Sequence, residues 1–316
     1  MRRRDFLGRL AAGLAAPLLP LSPPSFYPGK PRTGEELIER WSWAMGQPVH
    51  LQLFATSSDH GYAAAAAALA ELRQVEHKLS RFDEASDLSE LNRRAGQGGS
   101  WAGDDLRKVL ALSLHFARLT HGAFNPAIEP LMQAWGFRAP RGSEPTPSEL
   151  TQARKAVLAA RITIREDRVC LSSSETCLDL GGIGVGYALD RAMATLRKAG
   201  IRSAFLDVSG DCIAMGSPPG QEGWQVDIAG PRPRDPRLAS VRLRDAALAT
   251  SSNTQSVVHF GRAVRGHVIN PDSGWPADAM VQVSVVARTA TEADALSTAM
   301  LVSGQPVEGV LRYYKA

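Results

Sequence analysis

Four glycines fall within six residues in the segment Leu180-Gly181-Gly182-Ile183-Gly184-Val185-Gly186. No other feature restricts the surrounding fold as much. The apolar run from Leu178 to Ile183 reads as a strand, and the pattern from about Gly186 to Lys198 reads as a helix. A glycine-rich strand-to-helix turn invites a dinucleotide-binding reading, which requires the spacing G-x-G-x-x-G. Counted from Gly182 the third glycine falls on Tyr187, and counted from Gly184 it falls on Leu189. Neither register fits, and no βαβ unit surrounds the run, so a nicotinamide enzyme is a poor match. Two readings stay open. Glycines before a helix let backbone amides approach a phosphate, and a tight turn packed against a neighbouring element uses the same residues.

The rest of the chain mixes both periodicities. Val49 to Leu53 alternates, and Ala204 to Val208 is a short apolar run, as strands require. Further strands are expected at 161–165, 168–171, 224–228, 240–243, 247–250, 257–260 and 281–286. Leu69, Leu72, Val75 and Leu79 recur at helical spacing within 63–79, and further helices are expected at 106–119 and 147–159. Thr289 to Val302 reads as a helix with Glu292 early enough for a capped start. No repeat or low-complexity linker divides the chain. The expected class is α/β (α+β), with mixed, largely antiparallel sheets and packed helices. At 316 residues the chain can bury a sizeable core.

The N-terminus reads as an address. Arg3-Arg4-x-Phe6-Leu7 has the core of a twin-arginine export signal, followed by a short apolar run to Leu21 and by Pro20, Pro23 and Pro24. Residues 1–28 are therefore assigned to signal and linker, and 29–316 to the working domain, with the periplasm as destination, either released by cleavage near residues 20–28 or membrane-tethered by an uncleaved signal. That route carries folded proteins across the membrane and implies the twin-arginine (Tat) translocase as a transient partner. The apolar run is too short for an ordinary membrane span of about 20 residues. A net charge of +4, part of it from Arg2, Arg3 and Arg4, leaves no nucleic-acid footprint. Cys170, Cys177 and Cys212 form no C-x-x-C pair. Cys170 and Cys177 flank a serine-rich turn and could pair, or all three serve as small buried hydrophobes.

Several segments, in order, carry a resemblance. They are Met45-Gly46; Leu79-Ser80-Arg81-Phe82 with Ser86, Leu88 and Leu91-Asn92; Gly122-Ala123-Phe124-Asn125-Pro126 with Trp135-Gly136-Phe137; and Asp179 to Asp190 around the glycine run. Downstream come Ser209-Gly210-Asp211, Ala247-Leu248-Ala249-Thr250-Ser251, His267-Val268-Ile269-Asn270-Pro271 with Ser273-Gly274, and Ala293-Asp294-Ala295-Leu296-Ser297-Thr298-Ala299. Together they resemble the ApbE family of FAD:protein FMN transferases over about residues 45–304. The resemblance implies a two-lobed, T-fold-like domain.

It also implies a magnesium-dependent reaction. A threonine or serine hydroxyl of a target protein attacks the FMN-side phosphorus of FAD, and AMP leaves. Asp294 and Thr298, four apart on a helix and so on one side of it, would bind Mg²⁺ with the Gly182 carbonyl; these are hard oxygen ligands. His267 would take the hydroxyl proton, so His267 and Asp294 are the catalytic candidates. FAD would be held by Met45, Ser80, Arg81, Phe82, Asn125, Gly182, Val185, Thr250, Ser251, Val268 and Ile269. Phe82 would offer an apolar or stacking surface, with core packing as the alternative. The implied acceptor carries a Ser/Asp-Gly-Ala-Thr-like motif and is membrane-anchored or periplasmic. Val185 stands where the family carries lysine, and Asn125 and Asn270 stand where it carries aspartate. Those replacements favour a flavin carrier without turnover, and a magnesium-dependent FAD pyrophosphatase is a further alternative.

Overall fold

The computed structural model describes residues 34–232, 234–307 and 312–316. The export signal and linker expected over 1–28 lie outside the described residues. The centre of the fold is a seven-stranded sheet in the order β1-β2-β6-β7-β10-β13-β14. Its strands are β1 (Glu36–Ala44), β2 (Gln47–Ala55), β6 (Ser203–Val208), β7 (Asp211–Met215), β10 (Ala246–Ser252), β13 (Gln282–Ala287) and β14 (Arg312–Lys315). Every neighbouring pair in it is antiparallel, so the parallel component of a mixed sheet is absent among the described residues.

Side chains in a strand alternate between faces, and this sheet buries both. Val49, Leu51 and Leu53 of β2, Ala204 and Leu206 of β6, and Val283 and Val285 of β13 join the main core. Their alternates Phe54, Phe205 and Val286 join a second core with Trp224, Ile228, Val241 and Leu243. The latter belong to the hairpin β8 (Trp224–Ile228) and β9 (Ala239–Leu243), which covers the opposite face. On the main-core face lie three helices: α1 (Ser58–Leu79), α6 (Gly184–Lys198) and α7 (Ala290–Ser303).

Further elements make up the rest of the described residues. They are α2 (Asp87–Arg93), α3 (Asp104–Leu119), α4 (Glu129–Ala134), α5 (Pro147–Ala159), the sheet β3-β5-β4 (Ser100–Trp101, Arg168–Leu171, Ile162–Arg165) and the hairpin β11-β12 (Val257–Phe260, Ala263–Gly266). Helices α4 and α5 build a third apolar cluster around the fully buried Trp135, which also takes in Ile269.

Several expectations change. Helix α1 begins at Ser58, five residues earlier than its apolar stripe implied, because the Ser57 hydroxyl caps it by accepting the His60 N–H at 3.4 Å. Leu178 to Ile183 is not a strand; residues 178–180 are loop and 181–183 a turn, and the helix after it starts at Gly184. Cys170 and Cys177 are free thiols, as is Cys212, and burial pushes Cys177 up to about 11. Cys212 is buried, whereas Cys170 and Cys177 are only half-buried.

Candidate active site

Met45 and Gly46 form the two-residue turn between β1 and β2, with Ala44 paired to Gln47. Both have positive φ, 57° and 69°. That is the combination for a primed hairpin turn that matches strand twist. The turn is anchored by the Gly46 N–H, which donates to Glu76 Oε1 at 3.1 Å. It leaves the Met45 side chain reaching toward Gly184 at the start of α6.

The glycine run turns out to be a packing device. None of Gly181, Gly182, Gly184 and Gly186 has positive φ. A Cβ on Gly182 would meet Thr298 Oγ1 at 3.0 Å, and one on Gly186 would meet the Ala290 carbonyl oxygen at 2.3 Å. Gly182 and Gly186 therefore let the start of α6 lie against α7.

The two helix starts satisfy each other. The N-cap residue of α6, Ile183, has no side-chain oxygen to offer. Asp294 Oδ2 of α7 supplies the acceptor, taking the Gly186 N–H at 3.0 Å. In return Asp190 of α6 accepts the Ala290 and Thr291 N–H groups of α7, each at 2.9 Å. The expected capping box Thr289–Glu292 completes the α7 start.

Around this crossing lies a cavity of about 660 Å³, within the range of small-molecule sites. Every residue expected to serve catalysis, metal or FAD lines it: Met45, Ser80, Arg81, Phe82, Asn125, Gly182, Val185, Thr250, Ser251, His267, Val268, Ile269, Asp294 and Thr298. Phe82 is 77% exposed, which excludes core packing as its role. Asn125 and Asn270 act as turn acceptors: Asn125 Oδ1 takes the Ala127 N–H at 2.9 Å, and Asn270 Oδ1 takes the Asp272 N–H at 2.8 Å. Such a role needs an oxygen and no charge, so amide and acid are equivalent there.

Three features give the cavity its chemistry. The first is an oxygen-rich corner. Ser251 Oγ lies 2.8 Å from Ser297 Oγ and 3.2 Å from Thr298 Oγ1, and Thr250 Oγ1 lies 2.8 Å from Ser284 Oγ. Asp294 is buried there, and Asp211, which accepts the Thr250 N–H at 2.9 Å, also lines the cavity. Burial, and then the charge of Asp211, drive Asp294 well above the carboxylate range; burial takes Asp211 to about 7. Two buried carboxylates lining one cavity favour a cation, and a carboxylate, hydroxyls and the backbone beside Gly182 suit Mg²⁺. The residues therefore fit the metal that the resemblance implies.

The second is His267. Burial lowers its pKa, so the ring is neutral at pH 7. Nδ1 is buried without a hydrogen-bond partner, and His267 lines the cavity. The ring is held by its backbone, whose N–H donates to the Ser256 carbonyl at 3.1 Å. The loop just beyond is pinned by Trp135, whose Nε1 donates to the Gly274 carbonyl at 2.8 Å.

The third was missed by sequence reasoning. Fully buried Glu129 of α4 is ion-paired with Arg81 Nη2 at 2.7 Å and accepts from Arg138 at 2.9 Å (Nε) and 2.7 Å (Nη2). Arg138 also pairs with Asp179, whose Oδ1 accepts the Gly181 N–H at 2.6 Å. Glu129 and Arg138 sit beside the Gly122 to Pro126 and Trp135 to Phe137 segments, but nothing in their spacing announces a pair.

The sequence model of the ApbE family matches residues 45–314. A FAD:protein FMN transferase of Treponema pallidum is 31% identical over 250 residues, covering 74% of this chain and 69% of that protein. One from Rhodobacter capsulatus is 33% identical over 228 residues, covering 69% of this chain but only 42% of that protein. Among solved structures, the ApbE protein of Thermotoga maritima superposes with a TM-score of 0.77 at 28% identity, over 84% of this chain and 87% of that one. The apo form of the Pseudomonas stutzeri flavinyl transferase ApbE gives 0.74 at 26% identity, over 85% of each chain.

Proposed function

Because the chain belongs to the ApbE family, we propose that it transfers FMN from FAD to a threonine or serine hydroxyl of an acceptor protein and releases AMP. The observation that carries this reading is the convergence on one cavity of the motif residues from every segment, from Met45 to Thr298. In the reaction the acceptor oxygen forms a bond to the FMN-side phosphorus, and the bond from that phosphorus to the bridging oxygen breaks. The bridging oxygen and its electron pair leave with AMP. Neutral His267 takes the hydroxyl proton. Phe82 offers an exposed aromatic face at the cavity rim, and Met45, Val268 and Ile269 supply apolar contacts. Asp294, Thr298 and the Gly182 carbonyl would hold Mg²⁺, which supplies charge neutralisation on the pyrophosphate.

The same proposal includes twin-arginine export to the periplasm and an exported or membrane-anchored acceptor carrying a Ser/Asp-Gly-Ala-Thr-like motif. A second reading, a flavin-binding protein without turnover, is favoured by apolar Val185 at the start of α6. Intact-mass measurement separates the two. The chain is incubated with FAD, Mg²⁺ and an acceptor bearing that motif. The expected result is a mass gain of one FMN on the acceptor, lost with Asp294→Ala and with EDTA. Saturable FAD binding with no gain would replace transfer by the carrier reading. Free AMP with an unmodified acceptor would replace it by FAD hydrolysis.

A further inference from the structure

The cavity must accept a dianionic pyrophosphate if the reading above holds, yet its wall carries little positive charge. Among the described residues that line it, the only lysine or arginine side chains are Arg81 and Arg138. The glycine turn brings no cation, since Val185 at the second helical position of α6 is apolar. Both guanidinium groups lie against the ring of Phe82, at 5.3 and 5.5 Å from its centroid. Both are held from behind by Glu129, which is fully buried. Arg138 spends Nε and Nη2 on Glu129 and Asp179, which leaves Nη1 for a ligand. Arg81 Nη2 is ion-paired with Glu129, and its Nε is buried without a partner.

A buried ion cluster is a poor stabiliser: well-packed apolar side chains of the same volume do as well or better. Its cost is offset when the charges it orients are used. Two guanidinium forks, fixed side by side with N–H groups unspent, are the arrangement that recognises a phosphate.

We propose that Glu129 is a positioning residue that fixes Arg81 and Arg138 as a paired-guanidinium clamp for a phosphate of the bound dinucleotide. The clamp rests on the flavin-donor reading and goes beyond it. It assigns the charge-bearing contact to Arg81 and Arg138, and gives α4, outside the motif segments, a role in binding. Asp179 ties the clamp to the glycine turn through the Gly181 N–H.

The test is calorimetric titration of the full chain with FAD and Mg²⁺, and separately with riboflavin, which has the same ring and no phosphate. Arg138→Gln is expected to weaken FAD about tenfold, the value of one charge-assisted hydrogen bond. Riboflavin affinity should not change, and Arg138→Lys should recover part of the loss. Glu129→Gln gives the sharper outcome. It removes a negative charge, so general electrostatics predicts tighter FAD binding, whereas loss of the clamp predicts weaker binding. Thermal melting confirms that each variant is folded. If Glu129→Gln does not fold, Arg81→Gln replaces it and is expected to repeat the selective FAD loss. FAD binding that survives Arg138→Gln, or tightens in folded Glu129→Gln, overturns the clamp alone. Failure of the native chain to bind FAD overturns the flavin reading and the clamp with it.

Discussion

Replacing Gly186 by alanine sets two physical effects against each other. Gly186 is helical and has no positive φ, so its backbone accepts alanine. Helix propensity alone predicts a gain of about 1 kcal/mol. Packing predicts the reverse. The new Cβ would sit 2.3 Å from the Ala290 carbonyl oxygen, 2.6 Å from its carbon and 2.8 Å from the Thr291 nitrogen. All three are backbone atoms and cannot rotate away, so α6 and α7 must separate by about 1 Å to reach van der Waals distance. Overpacking of this kind costs about 1–3 kcal/mol. The separation also stretches the Gly186 N–H bond to Asp294 and the two N–H bonds to Asp190, worth about 0.5–1.5 kcal/mol each when intact. After the propensity gain, a net loss of about 2–4 kcal/mol is expected, together with weaker Mg²⁺ affinity. Urea unfolding gives the first number, and metal titration followed by melting temperature gives the second. Gly184→Ala is the control, because the nearest atom to its Cβ is Met45 Cε at 3.9 Å, and it should cost nothing. A Gly186→Ala protein as stable as the native one, with unchanged Mg²⁺ affinity, would refute the close-packing account of the glycine run.

Other outcomes follow from the same geometry. His267→Gln should lower kcat by about 10²–10³-fold while FAD affinity holds. Because burial lowers the His267 pKa and the neutral ring is the active form, the native rate should fall with acid only below pH 6.5. A rate–pH profile that breaks at or above 6.5 would contradict this. Burial raises Asp190, Asp207, Asp211 and Asp294 in the folded chain. A raised acid stabilises below its unfolded value of about 3.9 and loses that contribution as pH rises through its folded value, about 7 for Asp211. The metal-free protein should therefore melt higher at pH 5 than at pH 8, and Mg²⁺ should narrow the gap; melting curves with and without EDTA check both. Ser209 is exposed at φ 51° in the turn between β6 and β7, so Ser209→Gly should stabilise by about 0.5 kcal/mol in urea unfolding.

The sequence was most legible where one face of an element is apolar throughout. Val49, Leu51 and Leu53, and likewise Ala204, Leu206 and Val208, put one apolar face into the main core, so both segments read as strands. Strand β1 was not legible, because it lies at the sheet edge and its outward residues Trp41 and Trp43 are exposed. Its inward set, Ile38, Arg40, Ser42 and Ala44, is apolar only at its ends. Strand β7 showed no alternation because four of its five residues are buried, and helix α4 is too short for a period to emerge. In the cavity, the ordered motifs led to residues that do meet. Glu129 and Arg138 escaped because an ion cluster is a three-dimensional relation, and a buried glutamate on a six-residue helix looks like any surface acid. The Leu178 to Ile183 run was misread because burial alone does not separate strand from loop.

The exchanged acceptors of α6 and α7 join residues 108 apart in the chain. Neither helix can complete its first turn until the other has arrived, so the two starts form one cooperative folding unit. Amide protons of Gly186, Ala290 and Thr291 should thus exchange with solvent in a single opening event. A cation drawn to Asp294 would slow all three at once, making backbone exchange at Thr291 a remote gauge of what the cavity holds.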